Sequence, residues 1–404
     1  MVVKIADPLL MREINKYHVL ETIRSHGQIS RVEISEQTQL SGTTVSAITG
    51  ALIEEGLVEA IHSVQNGEAP RGRPRVMLGL VRDAAYVVGI KISERLSTAT
   101  LTDFRGETVA VAELPITLTN RPDAETVDLI EGLVGDCIAR SGIDRSRIRG
   151  IGIGVPGIVD PRSGMSYASS VFGQRHLPIG PLLSERMGIP VKVEKPAHLI
   201  ALAESWFGLA RRARSFAVVL IDQTASLGLW LDDELHRGAA ELGPAFGHIK
   251  VGGAGLRCEC GQSDCLNAHA GVAAMRHAAT ARMGADFVDS PGAQDDLLGA
   301  IAAAASTGDE TARELLARQG EMLGIGVSHI VNLINPDKII IATESPRYGE
   351  AIAETLRASA AANSFGAHFS ATELVFHTLD DRLWAMGAAA LMLRDIYSAP
   401  WTAH

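Results

Sequence analysis

The chain has 404 residues, 46% hydrophobic and 21% charged, with 47 acidic against 37 basic side chains and a formal net charge of −10. Such a length holds about two to three domains, and the composition excludes a disordered chain. The acidic balance excludes a uniformly basic nucleic-acid coat but not a local DNA-binding module, because residues 1 to 82 hold nine basic and nine acidic side chains and the remainder carries the whole deficit.

From residue 12 the apolar residues Ile14, Tyr17, Leu20 and Ile23 recur at three-residue spacing and end at Gly27, which predicts a helix with one apolar face and a stop. Ser30 followed by Glu33 is a capping box, so a second helix starts at once, with Ile34 and Leu40 facing the same small core. The turn from Leu40 through Ser41 to Gly42 leads to a third helix whose Val45, Ile48 and Leu52 point inward, leaving Thr43, Thr44, Ser46 and Thr49 outward. Three short helices in this order predict a helix-turn-helix that offers the start of the third helix, with Ser41 at its entrance, to a DNA major groove. GLVEAIHSV and RVMLGLV predict a two-stranded wing around the loop NGEAPRGRPR. After Glu68 no acid interrupts Arg71, Arg73, Arg75 and Arg82, which suits a phosphate or minor-groove contact.

From Ala85 the texture changes to short β-branched runs (YVVGIKI, TATLTDF, RIRGIGIGVPGIVD, FAVVLID, KIIIAT) between alanine- and leucine-rich helical stretches, the pattern of an α/β body. The expected divisions are a winged helix-turn-helix over 1–82, a first α/β lobe over 83–195 plus 391–404, and a second lobe over 196–390. No apolar run approaches 18 residues and no charged, apolar and cleavable segment opens the chain, so neither a membrane span nor a signal peptide is expected and the location is read as cytoplasmic. Of four cysteines, three crowd into positions 258, 260 and 265, a spacing that suits a metal better than a disulfide framework.

Several segments of the body, in order, resemble the ROK family of repressors and sugar kinases. They are GIGVPGIVD at 152–160, ALAESWFGLAR at 201–211, GHIKVGGAGLRCECGQSDCLN at 247–267 and GIGVSHIVNLINPDKIIIA at 324–342. The resemblance implies an actin-like, ribonuclease-H-like two-lobe fold, and it aligns His248, Cys258, Cys260 and Cys265 with the family's zinc motif. One imidazole and three thiolates complete a tetrahedral structural site with no open position, so one structural Zn²⁺ per chain is expected. A helix-turn-helix ahead of such a body is similar to the family's repressor branch. That implies a double-stranded operator as partner, bound by a homodimer or a tetramer through paired half-sites.

The kinase motifs depart from the family pattern. Lys91 to Arg95 (KISER) stands where kinases have a DxGxT phosphate turn, Asp222-Gln223-Thr224 replaces a second glycine turn, and Ala342 and Thr343 fall at the adenosine-side glycine pair. The family's END tripeptide, which carries the general base, reads Glu194-Lys195-Pro196. Proline accepts no proton through its side chain, and losing a general base costs about 10²–10⁴ in rate, so kinase activity is not expected. Of the sugar-contacting residues the family implies, His248 persists, while Ala245, Asn267 and Lys195 replace a glutamate, a glutamate and an asparagine. With Arg175 and His176 in a capping loop, the expected effector site of Lys195, His248, Arg175 and Asn267 is cationic and suits a sugar phosphate or sugar acid. Control by a partner protein, without a small-molecule effector, is the other reading.

Overall fold

The computed structural model describes residues 8–61, 76–94, 96–173 and 176–397. Gly27, at φ +74°, ends the first helix, Pro8–His26, in the left-handed conformation that a side chain rarely tolerates. The next helices span Arg31–Thr38 and Gly42–Glu54. At the second helix the capping box forms, with the Glu33 N–H donating to Ser30 Oγ and the Ser30 N–H donating to Glu33 Oε2 at 2.9 Å. Val19, Leu20, Ile23, Ile34, Val45, Ile48 and Leu52 are buried together. The wing has three strands rather than two: Gln28–Ser30 pairs with Met77–Leu80, which pairs with Val58–Ile61. The first of these was unreadable in the sequence because a three-residue strand carries no period.

Two five-stranded sheets build the body. In the first, the order is Val191–Glu194, Ile148–Gly154, Tyr86–Lys91, Ser97–Asp103, Thr108–Leu114. In the second it is Glu373–Thr378, Lys338–Thr343, Phe216–Ile221, Ala225–Leu231, Glu234–Leu235. Each sheet is an antiparallel meander of three strands extended by two parallel strands on the side of the first, so both lobes repeat one plan.

Between the sheets lie two helices, Pro196–Trp206 and Asp381–Tyr397. Every residue of Pro196–Trp206 is buried. The sheet glycines let the second helix approach: a Cβ on Gly89 would lie 2.0 Å from the Ala385 carbonyl oxygen, and one on Gly152 would lie 2.0 Å from that of Ala388. Gly152, within the strand Ile148–Gly154, therefore serves close packing of the helix on the sheet. The helix that returns to the first sheet begins at Asp381, ten residues ahead of the expected boundary at 391. An alanine-rich stretch disguised its start, because Ala385, Ala388, Ala389 and Ala390 are all core residues.

The apolar core of the head continues into the body, joining Leu20 and Ile23 to Ala197, Trp206, Phe216 and Trp230. Polar contacts reinforce the junction. Arg24 Nη1 donates to the Trp206 carbonyl at 2.9 Å, with its guanidinium 4.3 Å from the centre of the Trp206 ring. Arg105 donates to the Leu80 carbonyl at 2.8 Å and pairs with Glu59 at 2.6 Å.

Candidate nucleic-acid interface, metal centre and interlobe cleft

On the third helix, Thr43 and Ser46 are exposed and Thr44 is half-buried, as a reading face requires. Ser41 caps this helix: the Thr44 N–H donates to its hydroxyl at 3.1 Å, and the two hydroxyls lie 2.8 Å apart. Thr49 departs from expectation. It is fully buried, takes a hydrogen bond from Arg31 Nε at 2.9 Å and donates to the Ser46 carbonyl at 3.3 Å. Position 49 is one turn beyond Val45 and beside Ile48, so the helical period turns it toward the core and the hydroxyl fastens the second helix to the third. Arg71, Arg73 and Arg75 lie outside the described residues.

Two residues the sequence reading passed over join this face. A groove of 590 Å³ between the first and third helices is lined by Arg12, Lys16, Thr43, Thr44 and Ala47, and Lys16 is paired with Glu55 at 2.7 Å. Their signal was available, since Arg12 and Lys16 are four apart and share a helix face.

His248 ends a short turn, Phe246–His248, and Cys265 precedes the helix Leu266–Ala270. Cys258 and Cys260 sit on the loop between, which folds back through the Lys250–Cys265 and Arg257–Ser263 bridges. The ligand atoms of His248, Cys258, Cys260 and Cys265 lie within 4.8 Å of one another. Cys260 Sγ is 3.7 Å from Cys265 Sγ, and His248 Nδ1 is 3.6 Å from Cys258 Sγ. Those are close to the edges, roughly 3.5–3.8 Å, of a tetrahedron with sulfur at 2.3 Å and nitrogen at 2.0–2.1 Å from its centre. Lys250 Nζ stands 3.3 Å from Cys265 Sγ, where it would offset the net negative charge that three thiolates would leave on a bound divalent ion. Burial pushes the Cys258 thiol up to about 11, whereas the Gln262 N–H lowers Cys260. The loop has its own scaffold, as the Asp264 carboxylate accepts the Gly255 and Leu256 N–H groups at 3.1 Å. The chemistry of the donor set therefore fits a closed, structural metal site.

At the interlobe cleft the Glu194 carboxylate is fully buried at the end of its strand. It accepts from Arg237 Nε at 2.7 Å and from the Lys195 N–H at 2.9 Å, and lies 2.8 Å from His198 Nδ1. Burial pushes this carboxyl up, but His198, Arg237 and the backbone donor together outweigh it and hold it at about 2. Lys195 does not project freely into the cleft: its Nζ donates to the Leu242 carbonyl, and burial lowers its pKa. Asn267 Oδ1 accepts the Ala225 N–H at 2.8 Å, and a Cβ on Gly247 would fall 2.4 Å from its amide nitrogen, so Asn267 clamps a strand to the His248 turn. His248 directs Nδ1 at the thiols. Arg175 lies outside the described residues. Lys195 and Asn267, two of the expected effector residues, are thus engaged with backbone groups of the protein.

Across the cleft, Lys91 Nζ pairs with Glu344 at 2.6 Å. Burial and the Glu344 charge push Asp222 up to about 6, with Glu94 acting in the same sense and Lys91 against it. Acids thus crowd one lysine at the turns where a kinase receives phosphates.

The family model for ROK matches residues 87–395, more than half of the sequence. The chain belongs to the ROK family. A winged helix-turn-helix DNA-binding model matches residues 12–59 ahead of that ROK body. The xylose repressor of Caldicellulosiruptor bescii is 28% identical over 395 residues, covering 97% of this chain and 98% of that protein. A solved ROK family transcriptional regulator, a homolog of the Escherichia coli Mlc protein, superposes with a TM-score of 0.79 at 25% identity, covering 96% and 98% of the two chains. A ROK glucokinase from Streptomyces griseus, solved with glucose and AMPPNP, shares the fold of the body, with a TM-score of 0.63 at 24% identity over 76% of this chain and 99% of its own.

Proposed function

We propose that this chain is a sequence-specific DNA-binding transcriptional repressor of carbohydrate uptake or breakdown genes, working as a cytoplasmic homodimer or dimer of dimers and without kinase activity. One observation carries the reading: a winged helix-turn-helix shares its core with a ROK body in which Lys91 to Arg95 and Asp222-Gln223-Thr224 stand where kinases have glycine-bearing phosphate turns, with Lys91 paired to Glu344 and Asp222 beside them. Backbone approach to a nucleotide needs those glycines, and clustered carboxylates repel its phosphates. The full-length likeness to a protein named xylose repressor supports the same reading. The metal centre is read as zinc, one per chain, held by His248, Cys258, Cys260 and Cys265 for structure rather than catalysis. The effector is read as a small carbohydrate-derived molecule in the interlobe cleft, near Lys195, Asn267 and the His248 turn, that favours one lobe arrangement over another and so moves the paired heads.

Two measurements test this reading. Purified protein is expected to protect a pseudo-palindromic site beside its own or a neighbouring sugar-uptake gene in a footprint, and to transfer no phosphate from ATP to glucose, xylose or N-acetylglucosamine. ATP-dependent phosphorylation of any of these with no protected site would overturn it. Within the reading face, Thr44→Ala is expected to weaken binding by about ten- to a hundredfold at particular base positions. Arg73→Ala, in contrast, is expected to weaken all sequences alike and lower the salt slope by about one. Unchanged footprints for both variants at low salt would refute the assigned face.

A further inference from the structure

The DNA-binding head is fastened to the body at two places, and the two belong to different lobes. Its wing rides on the first lobe. The turn between Ser97–Asp103 and Thr108–Leu114 carries Arg105, which holds the Leu80 carbonyl at 2.8 Å and Glu59 at 2.6 Å, both on wing strands. The Phe104 N–H donates to the Arg82 carbonyl at 3.1 Å, and Arg82 pairs with Asp103 at 2.7 Å.

The first helix of the head rides on the second lobe. The buried helix Pro196–Trp206 packs on Phe216–Ile221 and Ala225–Leu231, and the loop that leaves it enters the second sheet at Phe216. Arg24 reaches the Trp206 carbonyl at the end of this helix, and Arg211 of the loop donates to the Ser25 carbonyl of the head. The two mounts touch at one point, where a Cβ on Gly106 would lie 2.3 Å from the Phe207 ring.

Within the second mount stands Glu204, which has no exposed surface. Its carboxylate accepts from His377 Nδ1 on Oε1 and from the Leu209 N–H on Oε2 at 2.7 Å. His377 belongs to Glu373–Thr378, the edge strand of the second sheet, and Lys338 of the neighbouring strand donates to the Leu209 carbonyl at 3.0 Å. Leu209 is thus held through both its backbone groups by the second sheet, once directly and once through Glu204, two residues ahead of the arginine that grips the head. The clasp has no slack: a Cβ on Gly208 would lie 2.0 Å from Glu204 Oε2. A buried carboxylate that loses one of its donors is strongly destabilised, so the arrangement resists distortion.

We propose that the head is steered by the angle between the lobes, and that Glu204, held by His377, is the positioning residue that passes the place of the second lobe to the first helix. When the lobes turn against each other, the wing follows one and the first helix the other. The third helix shares its core with the first and is carried with it. The step from this twist to operator affinity rests on the repressor reading; the two mounts do not.

Hydrogen exchange of the full chain tests the second mount. The His377 side chain is 29% exposed, so it can be exchanged without opening the core. His377→Phe keeps a ring and removes the donor, and is expected to speed exchange by about tenfold or more at amides 205–214 and 20–27. The wing amides 77–82 and the turn 103–107 are expected to exchange as in the wild type. His377→Asn, with an amide N–H as far from the backbone as Nδ1, is expected to restore protection, whereas a side chain that only filled space would be replaced better by phenylalanine. Operator affinity is expected to fall and recover with the same two variants. Should His377→Phe fail to fold, Lys338→Met, which removes the donor to Leu209, is expected to give the same pattern. An equal rise in the wing, no rise in the first helix, or no rescue by asparagine would overturn the proposal. If exchange follows this pattern while no form protects a DNA site, the repressor reading fails and the second mount stands.

Discussion

Replacing Cys265 with serine is expected to strip the metal from the chain and to lower its melting temperature by roughly 10 °C. Of the four ligands Cys265 is the one with no surface exposure, and it opens the helix whose Asn267 clamps the Ala225 strand to the His248 turn. Without the metal, two thiols, a hydroxyl and an imidazole converge with nothing to hold them, and the strain falls on the cleft wall before it reaches the reading head. Operator binding at low temperature should survive while the response to an effector is lost. Elemental analysis and thermal denaturation of the wild type and Cys265→Ser check this, and wild-type protein purified without chelator that carries no stoichiometric zinc would rule it out.

The second large effect is at Glu194. Glu194→Gln leaves Arg237 and His198 facing a neutral amide in a dry interior, at an expected cost of about 3 kcal/mol. The wild-type dependence on pH has a definite sign. A carboxyl held at about 2 in the folded chain, against its ordinary 4.5, contributes stability that is complete above 4.5 and is lost as pH falls toward 2. The full span is worth about 3 kcal/mol. Because Arg237 follows the edge hairpin of the second lobe and Glu194 ends a strand of the first, the same acid that weakens the pair loosens one lobe from the other. Urea unfolding at pH 7 and pH 3 should show this loss in the wild type and a much smaller one in Glu194→Gln; parallel losses would refute it.

Much of this architecture was legible because the signals were local. Ser30 with Glu33 announces a helix start, and one histidine and three cysteines at fixed spacing announce a cluster that could hold a metal ion, whatever the rest of the chain does. Thr49 was misplaced because its polarity was weighed above its position in the period, and only the neighbouring Arg31 makes its burial tolerable. The surroundings of the expected effector residues were hidden for a different reason. Lys195 is cationic, but its ammonium group is spent on the carbonyl of Leu242, forty-seven residues on, which no spacing rule reveals. Arg162, Lys192, Arg237 and Arg394 line one cavity only because the edge strand Val191–Glu194 of the first sheet faces the edge hairpin of the second, so their grouping is a property of topology.

The shared core of head and body has a consequence for how such regulators change over time. Leu20 and Ile23 pack in one cluster with Trp206 and Trp230, and Arg24 needs the Trp206 carbonyl. A head grafted from a relative onto this body would arrive with a foreign half of that seam, exposing apolar surface on both sides. New operator preferences are therefore expected to be reached more readily by substitution on the outer face of the third helix than by exchange of the whole head.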